Sequence, residues 1–124
     1  MTLSREVESM GNKAELNLCL IGVGSMGRNH ARVIAQHPRT RLAAIVDPDE
    51  QTGQTVAGQY GASWAPKLDN PNAYDAIVIA TSSDTHVELI VEAVTTGKPV
   101  LCEKPLAPSL AEARRCIELI GEEA

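Results

Sequence analysis

The sequence contains no phenylalanine, one tryptophan and two tyrosines. A core built from it must be aliphatic, assembled from Val, Ile, Leu and Ala. It also has no basic run: 11 Lys and Arg stand against 16 Asp and Glu, a formal net charge of −5. Nucleic-acid surfaces need clustered cations and usually stacking aromatics, so both shortages argue against that class of partner. No apolar stretch approaches the length of a membrane span, and the first residues do not form a signal peptide. The cysteines, Cys19, Cys102 and Cys116, are odd in number and lack CxxC spacing, so they read as reduced thiols packed as small core residues. No two histidines have metal-ligand spacing, and no metal is expected. A cytoplasmic location follows by default.

What is present is a regular alternation. A chain of 124 residues, 44% hydrophobic, is one domain at most. The polar opening, 1–16, lacks a core pattern and reads as a poorly ordered arm or a short helical turn. From residue 17 onward, strand-like and helix-like segments alternate. Strands are expected at 17–21, 41–46, 62–64, 76–80 and 100–103. "AIVIA" (76–80) is continuously aliphatic, as in a strand covered on both faces. Helices are expected at 25–36, with Gly27, Ala31 and Ile34 on one face, then at 50–60 and 85–96. A last helix is capped by Ser109, with Leu110, Ala113, Ile117 and Ile120 as its apolar stripe. Gly61 suits the left-handed position past a helix end. Short connections between alternating elements mean parallel βαβ units. The expected fold is therefore an α/β doubly wound parallel sheet of Rossmann type, with strand order 3-2-1-4-5.

In that fold a ligand lies across the carboxyl ends of the strands. "GVGSMG" holds Gly22, Gly24 and Gly27 in the GxGxxG pattern. The pattern is weak alone, but here it follows an apolar strand and opens a helix, the context a dinucleotide requires. Gly22 permits the tight turn, Gly24 lets the backbone approach a pyrophosphate, and Gly27 lets the helix pack close to the sheet. The helix start, with Ser25 and Met26, offers unpaired N–H groups to phosphate. Asp47 follows the second strand, twenty residues after Gly27, where a carboxylate accepts from ribose hydroxyls and repels a 2′-phosphate. NAD is thus expected ahead of NADP, although Arg41 lies near in sequence. A helix cap is the competing role for Asp47.

Four stretches, "GVGSMGRNH", "VDPD", "DAIVIATSSDTHVEL" and "GKPVLCEKPLA", occur in that order. Together they resemble the amino-terminal domain of the glucose–fructose oxidoreductase / inositol 2-dehydrogenase (Gfo/Idh/MocA) family over roughly 17–120. The resemblance implies an NAD(P)-dependent oxidoreductase acting on a sugar, a cyclitol or a related small polyol. It implies that Lys104 sits beside the nicotinamide and the reacting carbon, as a desolvated cation that stabilises a developing alkoxide. Glu103 would contact the cofactor or fix the lysine, and Pro105 would set the backbone through a cis Lys104–Pro105 bond. Thr81 and Ser82 would line the nicotinamide–ribose side. His30 and His86 match family positions; His30 is read as structural, core-facing or capping, while the offset of His86 near a helix start suits packing and the family role equally well.

Family members carry a second, mostly antiparallel domain that supplies an acid/base histidine. No histidine follows Lys104 here. The chain is therefore read as 17–124, a dinucleotide-binding domain that binds cofactor without turning over substrate. Its fifth strand is expected to be a bare edge that favours homo-oligomers. A free-standing NAD(H)-sensing module is the alternative, and a poised lysine would have no use there.

Overall fold

Runs of aliphatic and β-branched residues form the strands, and the computed structural model describes residues 15–121. In chain order the elements are β1 (Leu16–Ile21), α1 (Ser25–Gln36), β2 (Thr40–Val46), α2 (Glu50–Tyr60), β3 (Ser63–Ala65), β4 (Ala76–Ile79), α3 (His86–Val94), β5 (Val100–Cys102) and α4 (Leu110–Ile120). The sheet has five strands in the order β3-β2-β1-β4-β5, every pairing parallel. This is the expected doubly wound order. The expectation for 1–16 lies outside the described residues, except that Leu16 already belongs to β1.

Strand residues alternate between two cores, one on each face of the sheet. Leu20, Ile45 and Val78 meet Ala31 and Ile34 of α1 and Val56 of α2. Cys19, Ile77 and Ile79 meet Ile90 of α3 and Cys116 of α4. Complete burial of each Leu or Ile is worth roughly 1.5–3 kcal/mol, so this aliphatic sandwich holds without phenylalanine. The buried face of α1 is Gly27, Ala31 and Ile34, as its spacing predicts. Gly61 ends α2 at φ 70°.

Two helices depart from expectation. The helix placed at 85–96 is shorter, because Ser83–Thr85 form a 3-10 turn. At its other end the hydroxyls of Thr95 and Thr96 bond back to the carbonyls of Glu92 and Ala93. The stripe expected on the last helix is also rotated. Its buried face runs through Cys116 and Ile120 with Ala113 packed beside them, while Leu110 and Ile117 are 67% and 55% exposed. Cys116 acts as a core residue and turns the face by roughly an eighth of a turn. Ser109 caps α4 as expected, its side chain accepting from the Glu112 N–H.

Candidate functional site: the carboxyl edge of the sheet

The strand exits are joined in one row by backbone bonds. Asp47 N–H donates to Ala65 O (3.2 Å), Gly22 N–H to Val46 O (2.8 Å), Ala80 N–H to Ile21 O (2.8 Å) and Glu103 N–H to Ile79 O (2.9 Å). The glycine turn, Asp47, the Ala80–Thr81 exit and the Glu103–Lys104 turn therefore stand on one edge. The doubly wound topology requires this, because all parallel strands end on the same side.

The glycine turn is built by close approach. Gly22 has φ +97°, and a Cβ there would lie 2.7 Å from Thr81 Cγ2 and 3.0 Å from the Ala80 carbonyl. A Cβ on Gly27 would collide with the Gly22 carbonyl oxygen. Gly24 differs: nothing lies within 4 Å of a Cβ there. It is also the N-cap of α1, has no side-chain cap bond, and is followed by no acidic residue in the first turn. By contrast, α2 and α4 are capped by Asp49 and Ser109, and each has a Glu in its first turn. The first-turn N–H groups of α1, those of Ser25 and Met26 among them, therefore lack a side-chain cap, and an anion can take that place.

Asp47 is half-buried and makes two bonds: Oδ2 accepts from Val23 N–H at 3.0 Å, and Oδ1 accepts from Asp49 N–H at 2.8 Å. The carboxylate thus ties the glycine turn to the end of β2. It is not the helix cap, since Asp49 serves α2, accepting from Thr52 N–H. Those Thr52 bonds hold the Asp49 carboxyl below its ordinary range. The Asp47 backbone is clamped from β3: Trp64 Nε1 donates to Asp47 O at 3.0 Å, and its indole lies against Gly53, where a Cβ would strike it. Sequence reading missed this role of the single tryptophan, which only its rarity could have flagged. Arg41 is removed from consideration as a phosphate ligand. It sits at the opening of β2 with Nη1 on Asn17 Oδ1, about 20 Å of strand from Asp47.

A cavity of about 390 Å³ opens between the exits of β1, β2 and β4. Ile21, Val46, Leu68 and Leu89 give it an apolar lining. Asp84, Glu88 and Glu92 add carboxylates, and Lys67 is its one cation. Thr81 lines it; Ser82 does not. Ser82 is exposed, and its carbonyl accepts from Thr85 N–H and from Thr85 Oγ1 at 2.7 Å. The sequence carried no signal for Lys67, because the loop between β3 and β4 has no periodicity, whereas Asp84, Glu88 and Glu92 stand four residues apart on the turn before α3 and along it, a helical spacing that sequence reading passed over.

At the far end of the row stands the Glu103–Lys104 turn. Glu103 is half-buried, and its Oε2 lies 3.2 Å from His30 Nε2. His30 therefore links α1 to the end of β5 instead of packing in the core. The Lys104–Pro105 peptide is cis. Lys104 is exposed. Among the described residues nothing covers the lysine, because β5 is the sheet edge, so the expected desolvation is not seen there. Cys102, just before the turn, has its thiol pushed up to about 11 by burial, with Cys116 and Glu103 adding to the effect. It packs, partly buried, against the core on the α3–α4 face of the sheet. His86 is buried, with one ring nitrogen at Thr81 O and the other at Pro105 O.

The model of an oxidoreductase family with an NAD-binding Rossmann fold matches residues 16–124. The chain belongs to this family, Gfo/Idh/MocA. Family relatives include inositol 2-dehydrogenase of Leifsonia xyli, 37% identical over 89% of this chain and 34% of its own length. An inositol 2-dehydrogenase of Saccharopolyspora erythraea is 38% identical over 88% of this chain and 33% of its own. Among solved structures, GenD2 from gentamicin A biosynthesis, in complex with NAD, superposes with a TM-score of 0.79 at 32% identity, over 90% of this chain and 33% of its own. A myo-inositol dehydrogenase of Corynebacterium glutamicum gives 0.77 at 37% identity, over 89% and 34%. The chain spans about a third of the length of these relatives.

The residues present fit the cofactor of the Gfo/Idh/MocA fold. The uncapped start of α1 and the open space at Gly24 suit a pyrophosphate, and the pre-tied Asp47 carboxylate keeps lone pairs for a ribose. Among the described residues no group of three or more His, Cys, Asp or Glu could hold a metal ion. No described helix is long and apolar enough to cross a membrane.

Proposed function

We propose that residues 17–124 are the dinucleotide-binding domain of a cytoplasmic, NAD-dependent oxidoreductase acting on a sugar, a cyclitol or a related small polyol. The single observation that carries this reading is the row of strand exits. It aligns an uncapped glycine turn, Asp47 and the Glu103–Lys104 turn on one edge. When bound, nicotinamide supplies or accepts the hydride. The protein's own groups bind and orient. Gly22, Gly24 and Gly27 make room for the pyrophosphate, and the N–H groups of Ser25 and Met26 bind it. Asp47 accepts from the ribose hydroxyls, and the apolar cavity holds the adenosine end. Thr81 and Ser82 flank the nicotinamide ribose.

Lys104 hydrogen-bonds the substrate oxygen and carries charge beside the developing alkoxide. Glu103, fixed by His30, orients the turn. NAD is favoured over NADP because a 2′-phosphate would meet Asp47, and the cavity's three carboxylates face a single lysine. The substrate class rests on the relatives, which are inositol dehydrogenases. Edge strand β5, with Leu101 60% exposed, favours pairing between copies.

Calorimetric titration of NAD and NADP into the wild type and Asp47→Ala tests the reading. NAD should bind more tightly than NADP to the wild type, and Asp47→Ala should erase the difference. Equal affinities in the wild type would refute the cofactor preference. No binding of either would refute the site.

A further inference from the structure

The geometry points to His86 as a positioning residue for Lys104, an inference that rests on the reading of Lys104 given above. His86 opens α3 and is 1% exposed, the only buried polar residue among those described outside the apolar core. Its Nδ1 lies 2.8 Å from Pro105 O and its Nε2 lies 3.0 Å from Thr81 O. Those carbonyls belong to the two exits that flank the nicotinamide position. Thr81 lies two residues past the end of β4, and Pro105 directly follows Lys104.

The ladder between β4 and β5 closes with Glu103 N–H on Ile79 O. Lys104 lies beyond that bond, in a stretch where the two exits have left the sheet. The His86 ring spans the exits there. It is packed on all sides, so it has little freedom to follow a wandering turn. Lys104 makes no hydrogen bond or ion pair of its own among the described residues, so its place depends on the backbone on either side of it. One side is the sheet, through Glu103. The other is Pro105, through His86. Both partners of the ring are carbonyl oxygens, which only accept, so the bond that holds Pro105 is the one made by the tautomer with its N–H on Nδ1.

The test uses the full chain and three ligands: NADH, NAD and ADP-ribose. ADP-ribose reports the phosphate and adenosine contacts alone. The NADH-to-NAD affinity ratio reports a cation near the nicotinamide, since NAD carries a positive ring and NADH does not. Two unit charges about 4 Å apart in water repel by about 1 kcal/mol, so Lys104 in place favours NADH by about fivefold. Lys104→Met should abolish that preference. His86→Leu should abolish it too, with ADP-ribose affinity unchanged, and the double variant should lose nothing more. His86→Asn places an amide where Nδ1 stood and should keep the preference. His86→Gln places it where Nε2 stood, releases Pro105 and should lose the preference. This pair decides the matter if His86→Leu does not fold.

Retention of the preference in both His86→Leu and His86→Gln would overturn the inference. So would a fall in ADP-ribose affinity in step with NADH, which would mark a general packing role. An unchanged ratio in Lys104→Met would instead overturn the placement of Lys104 itself.

Discussion

Gly24 and Gly27 belong to one turn, yet the structure assigns them opposite sensitivities. A methyl group at Gly27 would lie 2.7 Å from the Gly22 carbonyl carbon and closer still to its oxygen. Carbon–carbon contacts settle near 3.5–4.0 Å, so α1 would have to lift off the turn by roughly 1 Å. Gly22 cannot yield: its N–H is bonded to Val46 O, and its other side meets the Ala80 carbonyl. Lifting α1 also loosens Ala31 and Ile34 from their core. Overpacking of this kind costs about 1–3 kcal/mol, and each kcal/mol lowers the Tm of a domain this size by about 4–8 °C. Gly27→Ala should therefore melt about 10 °C below the wild type.

A methyl group at Gly24 meets nothing within 4 Å, and φ −69°, ψ −162° is open to any residue. Alanine caps a helix slightly less well, by about 0.5–1 kcal/mol, and gains about as much by restricting the unfolded chain. Gly24→Ala should melt with the wild type. Its methyl would stand in front of the first-turn N–H groups, so NAD affinity should fall about tenfold, a loss of about 1.4 kcal/mol. Scanning calorimetry without ligand and titration with NAD measure the two effects separately. If Gly24→Ala loses as much Tm as Gly27→Ala, or binds NAD like the wild type, the division of labour within the turn is wrong.

Asp47→Asn keeps one acceptor oxygen and turns an amide N–H toward either Val23 N–H or Asp49 N–H. The loss of a charged acceptor, about 1.5–3 kcal/mol, should appear as a lower melting temperature in the absence of ligand. Trp64→Phe removes the donor to Asp47 O, and should cost about 1 kcal/mol in stability while weakening NAD and ADP alike, since both carry the adenosine ribose proposed for Asp47. Burial, with Asp69 adding to it, pushes the Cys19 thiol from 9.0 up to about 12. Above pH 9 the unfolded chain gives up that proton and the folded chain keeps it. Stability should therefore fall as pH rises from about 9 toward 12, on the order of 1 kcal/mol per pH unit, and Cys19→Ala should melt with a shallower alkaline slope.

Strand and helix periods, the glycine turn, the offset to Asp47 and the Glu103–Lys104–Pro105 corner are all patterns of near neighbours along the chain. Repeating aliphatic runs and short connections admit few topologies, and the parallel order then sends every strand exit to one side. That is why the edge proposed to carry the site follows from the sequence. The last helix shows where pattern reading stops: a single thiol, Cys116, decided which face turned inward, and only packing reveals that choice.

The supports of the site lie further from local pattern. Trp64 reaches Asp47 across 17 residues, His86 reaches Pro105 across 19, and His30 reaches Glu103 across 73. Arg41 and Asp47 are six positions apart yet stand at opposite ends of a strand. The sequence by itself determined the sheet, its order and the edge on which every strand exits, because secondary structure and parallel topology follow from short-range periodicity. Only the tertiary structure decided which side chains hold that edge in place, because a hydrogen bond between distant residues depends on where two strand ends are brought together.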